Sequence, residues 1–503
     1  MLKRCIILSL LLFPLVIMIL GLEFKTSIAE AWSGTIYIRS DGSIEPSGAP
    51  VTTADKITYF LTGNISVNGF NHGLIVERNN IVIDGRGFTI QGSSAPFDTR
   101  GVDISGRENV TVKNLKVKGF AFGIYLSNSS FNNVAGNEVE ENQVGLIGYR
   151  SAYNNIFNNV FRGNFYEIKL TDYSGNNLIS QNIIKTSTCG IILDSSSNNN
   201  IISWNRIEGN LTMLSTGIVI TSCSDNKVTG NSISLFATGI ELSYAVSNTI
   251  FGNNITLNSF AGIDIYEGSI LNIFEANIIE ENSFGIRIYQ ARDNTICGNC
   301  FLKNGADVII EDGDQNYFDK GYPVGGNYWE NYRGVDLYSG SYQNVTGADG
   351  IGDTPHIDGQ IVDRYPLMAP VKLFYAGTWY GIEYNAIVVS NSTISDFHFN
   401  PEEGPFISFK ATSPEGAVGF CRVMILSRLI WADDGWKIRV DDVEIDNYRE
   451  FPGDEAVYLY FTFAQGMRTI VIEGAGVIPE YPIIIPLLAL IIIITFGKIL
   501  GRK

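Results

Sequence analysis

A strand-like pattern returns along the middle of this chain at a nearly fixed interval, and that repeat limits what the chain can fold into. Segments begin at Gly123, Gly145, Glu167, Gly190, Gly217, Gly239, Gly262, Gly285 and Asp307, in steps of 22 or 23 residues with a single step of 27. The next residue is aliphatic every time: Ile124, Leu146, Ile168, Ile191, Ile218, Ile240, Ile263, Ile286 and Val308. Two places further on, all are Ile or Leu except Gly148. Such alternation marks a short strand with one face turned inward. A unit this short cannot bury that face alone, so successive units must stack.

Nine residues after each start stand Asn132, Asn154, Asn176, Asn199, Asn226, Asn248, Leu271, Asn294 and Asn316, and further Asn follow at five-residue intervals, as in Asn132, Asn137 and Asn142. Asn tolerates left-handed turn conformations and its amide can bond to an identical amide above and below, so these columns read as corners. The LxxLxLxxN pattern and helical segment of leucine-rich repeats are missing. The pattern predicts an all-β fold, a right-handed parallel β-helix. Gly101–Ile104 and Asn79–Gly85 add earlier turns, giving about 11 coils of about 22 residues and a rod roughly 50 Å long at about 4.8 Å per coil.

The flanks read differently. Lys3 and Arg4, an apolar run from Cys5 to Leu22 and the small-x-small Ala29-Glu30-Ala31 predict a signal peptide over 1–31. Residues 32–78 are expected to cap the N-terminal end of a β-helix over 79–320. A Gly-, Tyr- and Asp-rich capping segment follows over 321–370. Short strands punctuated by Pro401-Glu-Glu-Gly-Pro405, Ser413-Pro-Glu-Gly416 and Phe451-Pro-Gly453 predict a C-terminal β-sandwich over 371–476. A stiff linker at 477–482 leads to a transmembrane helix at 483–500 and a basic cytoplasmic tail at 501–503, since Lys498, Arg502 and Lys503 follow the apolar Ile483–Phe496. The expected localisation is therefore the cell membrane, with a single C-terminal span and everything upstream extracellular. The net charge of −17, from 52 acids against 35 bases, argues against sequence-independent nucleic-acid binding, which needs a basic surface.

Ile81-Val-Ile-Asp-Gly-Arg-Gly-Phe-Thr-Ile90, the Asn-rich coils, Gly325-Gly-Asn-Tyr-Trp-Glu-Asn-Tyr332, Gly350-Ile-Gly-Asp353 and Arg364-Tyr-Pro-Leu367 together resemble the NosD-type β-helix proteins of archaeal cell surfaces. The resemblance covers about residues 34–370. It implies a carbohydrate-binding or sugar-hydrolase-like β-helix, and in the bacterial members a periplasmic copper-binding role. Copper needs His, Cys or Met ligands close together. The three histidines, His72, His356 and His398, are scattered, and the copper role is not expected to carry over.

Outward positions on neighbouring coils fall about 4.8 Å apart, which groups the candidate catalytic residues Glu241, Asp264 and Arg287 with Tyr266 and Tyr289. Tyrosines stack on sugar faces while acids and arginine bond to hydroxyls or uronates, so Tyr266, Tyr289, Tyr125 and Tyr149 are the candidate carbohydrate-binding residues. Glu241 and Asp264 stand near the spacing of a retaining glycosidase pair, and a surface ion ladder with ordinary strand tyrosines accounts for the same residues. Asp349 and Asp353, in Asp349-Gly-Ile-Gly-Asp353, offer oxygen ligands of the kind Ca²⁺ takes, although Asp-Gly is also turn chemistry. Cys297-Gly-Asn-Cys300 is read as a disulfide or two packed thiols, a zinc site needing a second pair. Glycosylation sequons stand at Asn64, Asn109, Asn128, Asn210, Asn254, Asn344 and Asn391. The function expected is a membrane-anchored extracellular protein that binds polysaccharide or builds the cell envelope without catalysis, with no obligatory cofactor. The alternatives are a polysaccharide lyase or glycoside hydrolase acting on an acidic glycan, and a copper-delivery accessory.

Overall fold

A computed structural model describes residues 32–94, 98–186, 188–312, 315–379 and 382–478. The expected signal at 1–31, anchor at 483–500, tail at 501–503 and all but the first two residues of the linker lie outside the described residues. Among the described residues every regular element is a strand, and no helix is long and apolar enough to cross a membrane.

The repeat winds into a right-handed solenoid with three parallel sheets running its length. The first sheet carries the longest strands, among them Phe122–Ser127, Val144–Tyr149, Thr238–Ser243, Ala261–Ile265, Phe284–Tyr289 and Ala306–Glu311. Each strand pairs in register with its copy one coil on, so Ile124 lies against Leu146 and Ile263 against Ile286. The second sheet contains Asn133–Ala135 and its copies, the third Glu138–Glu140 and its copies. Inward aliphatics from all three fill one continuous core in which Ile124, Val134, Val139, Ile240, Ile250 and Ile255 are fully buried.

The winding begins upstream of residue 79. Ile36–Ile38 already pairs parallel with Leu74–Val76, and Thr58–Leu61 with Ile81–Asp84. The N-terminal end is closed by two antiparallel additions, Ile44–Glu45 on Ile36–Ile38 and Val51–Thr53 on Thr58–Leu61, which reverse the chain where an open parallel edge would invite another strand.

The corners are held by ladders of buried Asn. In the first, Asn132 Nδ2 donates to Asn154 Oδ1 at 2.9 Å, and Asn154 to Asn177, Asn177 to Asn200, Asn200 to Asn226, and so on to Asn316. Each Oδ1 also accepts a backbone N–H from the coil before, as Asn154 Oδ1 does from Asn132. Three rungs differ from the nine-residue reading. Asn177, Asn200 and Asn272 occupy the ladder, not Asn176, Asn199 and Leu271. Those coils hold one more residue in the preceding turn, absorbed by positive φ at Asp172 and Tyr173, at Ser195 and Ser196, and at Gly268. Asn176, Asn199 and Leu271 instead take the left-handed position just before the rung, and Leu271 is exposed there.

A second ladder runs from Asn137 through Asn159, Asn182, Asn205, Asn231, Asn253, Asn277 and Asn299 to Asn327. The third is broken. Asn142 and Asn164 lead to Glu167, whose carboxylate accepts both the backbone and side-chain N–H of Asn164. Asn258, Asn282 and Asn304 then form a second run that ends on Asp307. Glu167 is completely buried, and burial pushes its carboxyl up to about 8 against the pull of the Asn164 donors.

The segment after the solenoid closes its C-terminal end. Tyr328–Trp329 continues the third sheet beyond Cys300–Leu302, and the buried Trp329 stacks on Phe301 at 4.6 Å and 8°. Asp363 fixes this plug by accepting the Asn327 backbone N–H at 2.7 Å and Trp329 Nε1–H at 2.8 Å. Beyond it lie two antiparallel five-stranded sheets. One is ordered Val371–Trp379, Ile382–Ser390, Gly419–Leu426, Ala456–Phe463, Arg449–Pro452. The other is ordered Thr393–Phe399, Phe406–Thr412, Met467–Glu473, Lys437–Val440, Val443–Ile445. They share a core of Val388, Ile407, Phe409, Val423, Leu459, Phe461 and Ile470. This unit docks along the corner between the second and third sheets. Gly252, with φ of +64°, leaves room for Leu373, which a Cβ at that position would meet at 2.3 Å. Trp204 packs edge-on against Tyr375, and Lys227 pairs with Glu383 at 3.0 Å. Arg422, wholly buried, donates to the carbonyls of Asp349 and Pro323.

The five cysteines of the described residues are free and buried. Cys297 and Cys300 form no disulfide, and Cys300 Sγ instead accepts the Val371 backbone N–H at 2.9 Å.

Candidate functional site

On the outer face of the first sheet, side chains one coil apart form straight columns. The pairings Val219 to Glu241, Glu241 to Asp264, Asp264 to Arg287 and Arg287 to Ile309 place two acids and a guanidinium next to one another. Arg287 Nη1 donates to both Asp264 oxygens at 3.3 Å. On its other side, Nε and Nη2 donate to Glu311 Oε2 at 3.0 and 2.7 Å. Three rings surround the guanidinium, with its carbon 5.1 Å from the centre of Tyr266, 5.4 Å from Tyr289 and 5.5 Å from Phe260. Tyr266 and Tyr289 meet edge-to-face at 5.8 Å.

Burial decides the chemistry of the acids. Asp264 is 2% exposed, and its carboxyl is pushed up to about 6 by desolvation, with Arg287 pulling it down and Glu241 pushing it up. Glu241 is half-buried and has neither a hydrogen bond nor an ion pair, so desolvation alone raises its carboxyl above the usual range. The patch thus offers one unpartnered carboxyl beside a paired one, bordered by aromatic edges. It can accept hydrogen bonds and hold apolar sugar faces, because aromatic side chains combine a large apolar surface with a directional quadrupole.

The structure brings Glu241, Asp264, Arg287, Tyr266 and Tyr289 together. It does not bring Tyr125 and Tyr149 to them, since Tyr149 lies five coils earlier than Tyr266, roughly 24 Å along the rod. Tyr125 instead stacks under Arg100, at 3.9 Å, and Tyr149 packs beside Arg150 and bonds to Asp172. Glu311 and Phe260 complete the patch without having been singled out from the sequence. Glu311 stands in the same column as Tyr289, one coil on, and the repeat register places it within reach of Arg287. Phe260 lies in the turn before its strand, where the repeats differ most, and carried no signal.

The Asp-rich loops face inward to the backbone. Asp349 Oδ1 accepts the Ile351 N–H at 3.0 Å, Asp353 accepts those of Leu337 and Tyr338, and Asp336 those of Asp349 and Gly350. These are turn-fixing contacts, and among the described residues no three His, Cys, Asp or Glu groups are gathered to hold a metal ion. Of the sequon residues, Asn64, Asn109, Asn128, Asn210, Asn254 and Asn344 are exposed and Asn391 is half-buried. Asn391 is committed at both ends of its amide, donating to Val418 O and accepting from Phe420 N.

The family described as periplasmic copper-binding protein (NosD) matches residues 51–173, 168–272 and 236–334. No curated protein matches the chain. Among solved structures, a point mutant of the periplasmic alginate epimerase AlgG is similar over 52% of this chain and 77% of its own, at 16% identity and a TM-score of 0.43. The A-module of the Azotobacter vinelandii mannuronan C-5 epimerase AlgE4 is similar over 57% and 88%, at 13% identity and a TM-score of 0.40. The Dettilon tailspike protein is similar over 87% and 94%, at 12% identity and a TM-score of 0.39. The three histidines do not gather into a copper site. His72 Nδ1 accepts the Arg100 backbone N–H, His356 lies stacked on Trp329, and His398 pairs with Glu403 in the C-terminal sheets, so no two of the three share a site.

Proposed function

This chain belongs to the NosD family, and we propose that it is an exported, membrane-anchored β-helix protein that binds glycan on the outer face of its first sheet without cleaving it. The observation that carries the reading is the patch itself, an unpartnered carboxyl at Glu241 one coil before Tyr266 and two coils before Tyr289 on the same face. Export and anchoring rest on the sequence, on Lys3 and Arg4 before one apolar run and Lys498, Arg502 and Lys503 after the other. Binding is favoured over catalysis because a general acid or nucleophile must reach the scissile bond. Asp264 is covered by Arg287 and 2% exposed.

Titration against a panel of neutral, amino and acidic oligosaccharides, with the full chain in mild detergent, tests this. Binding weakened at least tenfold by Tyr266→Ala, with unsplit oligosaccharide recovered, supports it. Binding indifferent to Tyr266→Ala and Tyr289→Ala overturns the assignment of the face. A second reading is a lyase or hydrolase, favoured by the elevation of Asp264 to about 6 and of Glu241 above its usual range, where a carboxyl can exchange protons near neutrality. New reducing ends or unsaturated uronates in the same incubations, lost in Glu241→Gln, establish that reading instead.

A further inference from the structure

The charge arrangement of the patch narrows its ligand. A face meant for a polyuronate needs a cation with free donors, since carboxylate recognition relies on charge-assisted, preferably bidentate, contacts from Arg or Lys. Arg287 is the cation of this patch, the column's other cation, Lys169, lying three coils before Glu241 and paired with Asp194, and the Arg287 donors are already engaged. Nη1 is held by Asp264, Nε and Nη2 by Glu311, and three rings enclose the guanidinium. Against this one positive charge stand the three carboxyls of Asp264, Glu311 and Glu241. Glu241 lacks a protein partner, although half-buried beside the acid that repels it. An unpaired carboxyl partly withdrawn from water is unfavourable until a donor or cation arrives.

We propose that this face selects an amino sugar, a glycan residue carrying a protonated amine, with Glu241 as the carboxylate that receives the ammonium group and Tyr266 and Tyr289 as the rings against which the sugar packs. The inference rests on the glycan-binding reading above and goes further by naming the charge of the ligand. A ligand ammonium flanks the two adjacent acids with a positive charge on the side away from Arg287, in the order ligand, Glu241, Asp264, Arg287. A ligand carboxylate meets an acid that has no counter-ion of its own. Cation–π attraction from the tyrosine rings adds to the preference.

Calorimetry on the full chain in mild detergent compares a glucosamine hexamer, its N-acetylated counterpart and a galacturonate hexamer. The glucosamine hexamer is expected to bind at least tenfold tighter than the acetylated one, and the galacturonate not at all. Glu241→Gln is expected to erase that tenfold difference. The protein as a whole is acidic, so Asp433→Asn, which removes one exposed acid far along the chain, is the control for nonspecific attraction and is expected to leave the preference intact. Equal affinity for the amine and acetylated forms, both lost in Tyr266→Ala, overturns the amino-sugar inference and leaves glycan binding standing. Preference abolished as much by Asp433→Asn as by Glu241→Gln overturns it as well, since the attraction is then diffuse. No binding of any hexamer removes both readings.

Discussion

Replacing Glu167 by Gln tests whether a buried acid sits neutral inside the rod. In the fold this carboxyl is held up to about 8 by burial, against a usual value of 4.5, so between those values the folded chain binds more protons than the unfolded one. Stability contributed at this site is therefore fully present below about 4.5 and is lost as pH rises toward 8. At about 1.4 kcal/mol per unit of pH, the readier ionisation of Glu167 in the unfolded chain lowers stability by about 1 kcal/mol at pH 5 and about 4 kcal/mol at pH 7.5. Glu167→Gln keeps an oxygen for Asn164 and cannot ionise. It should show a stability advantage that grows by about 3 kcal/mol across that interval, on top of a pH-independent offset of about 1 kcal/mol for the altered hydrogen bonds. A stacked solenoid opens locally, so amide hydrogen exchange around Asn164 and Tyr166 is the sharper assay, with denaturant unfolding in parallel. If wild type and variant keep a constant difference from pH 5 to pH 8, the reasoning fails. The donors of Asn164 then outweigh burial, and Glu167 is ionised in the fold.

Asn205→Ala removes one rung of the second ladder and strands the Asn182 N–H that it accepts; a loss of about 2–4 kcal/mol is expected, read as faster exchange confined to the neighbouring coils. Trp329→Ala unplugs the C-terminal end, at a cost of about 3–5 kcal/mol, and should loosen the last coils before the first, seen in exchange rates. Produced in a host that glycosylates exported Asn, the chain should carry glycan at Asn210, Asn254 and Asn344, whose exposed amides make no hydrogen bond, and far less at Asn391, whose amide holds Val418 and Phe420; intact-peptide mass spectrometry reads the occupancy. Glu241→Gln should remove the neighbouring charge that helps to raise Asp264 and bring the Asp264 titration down from about 6, followed by NMR of its carboxyl, with the Arg287–Glu311 pair left in place.

The period-two aliphatics made the first sheet legible down to its register, because each side chain faces its own copy and a slip of one would turn the core outward. That register alone put Glu241, Asp264 and Arg287 in one column. What escaped lay in the turns. One extra residue at Asp172–Tyr173 shifts the Asn rung without disturbing the strands, since a left-handed pair absorbs it. Phe260 and the inward engagement of Asp349 and Asp353 depend on how loops fold back, which no period encodes. The start of the winding at Ile36 was obscured because its coils are longer and lack the Asn signature. Whether Cys297 and Cys300 would pair was also beyond a spacing rule; in the structure both thiols are buried and Cys300 meets a backbone amide.

The Asn ladders also have a direction. From rung to rung, one side-chain N–H of each Asn donates toward the C-terminal end and its Oδ1 accepts from the N-terminal side, while in most rungs the other N–H holds a carbonyl of the preceding coil, as Asn137 holds Val112 O, so the rung-to-rung bonds all point the same way. Three of the four runs end against a carboxylate at the finish: Asn164 on Glu167, Asn304 on Asp307, and Asn327, through its backbone N–H, on Asp363. The carboxyl oxygens cap a row of side-chain donors as an N-cap side-chain oxygen caps the first amides of a helix. A rod built this way has a head and a tail. Coils can be added or deleted upstream of a terminating acid without orphaning a donor, whereas a coil inserted after it must begin a new row. The break at Glu167 therefore divides the third ladder into two sections that can be lengthened independently.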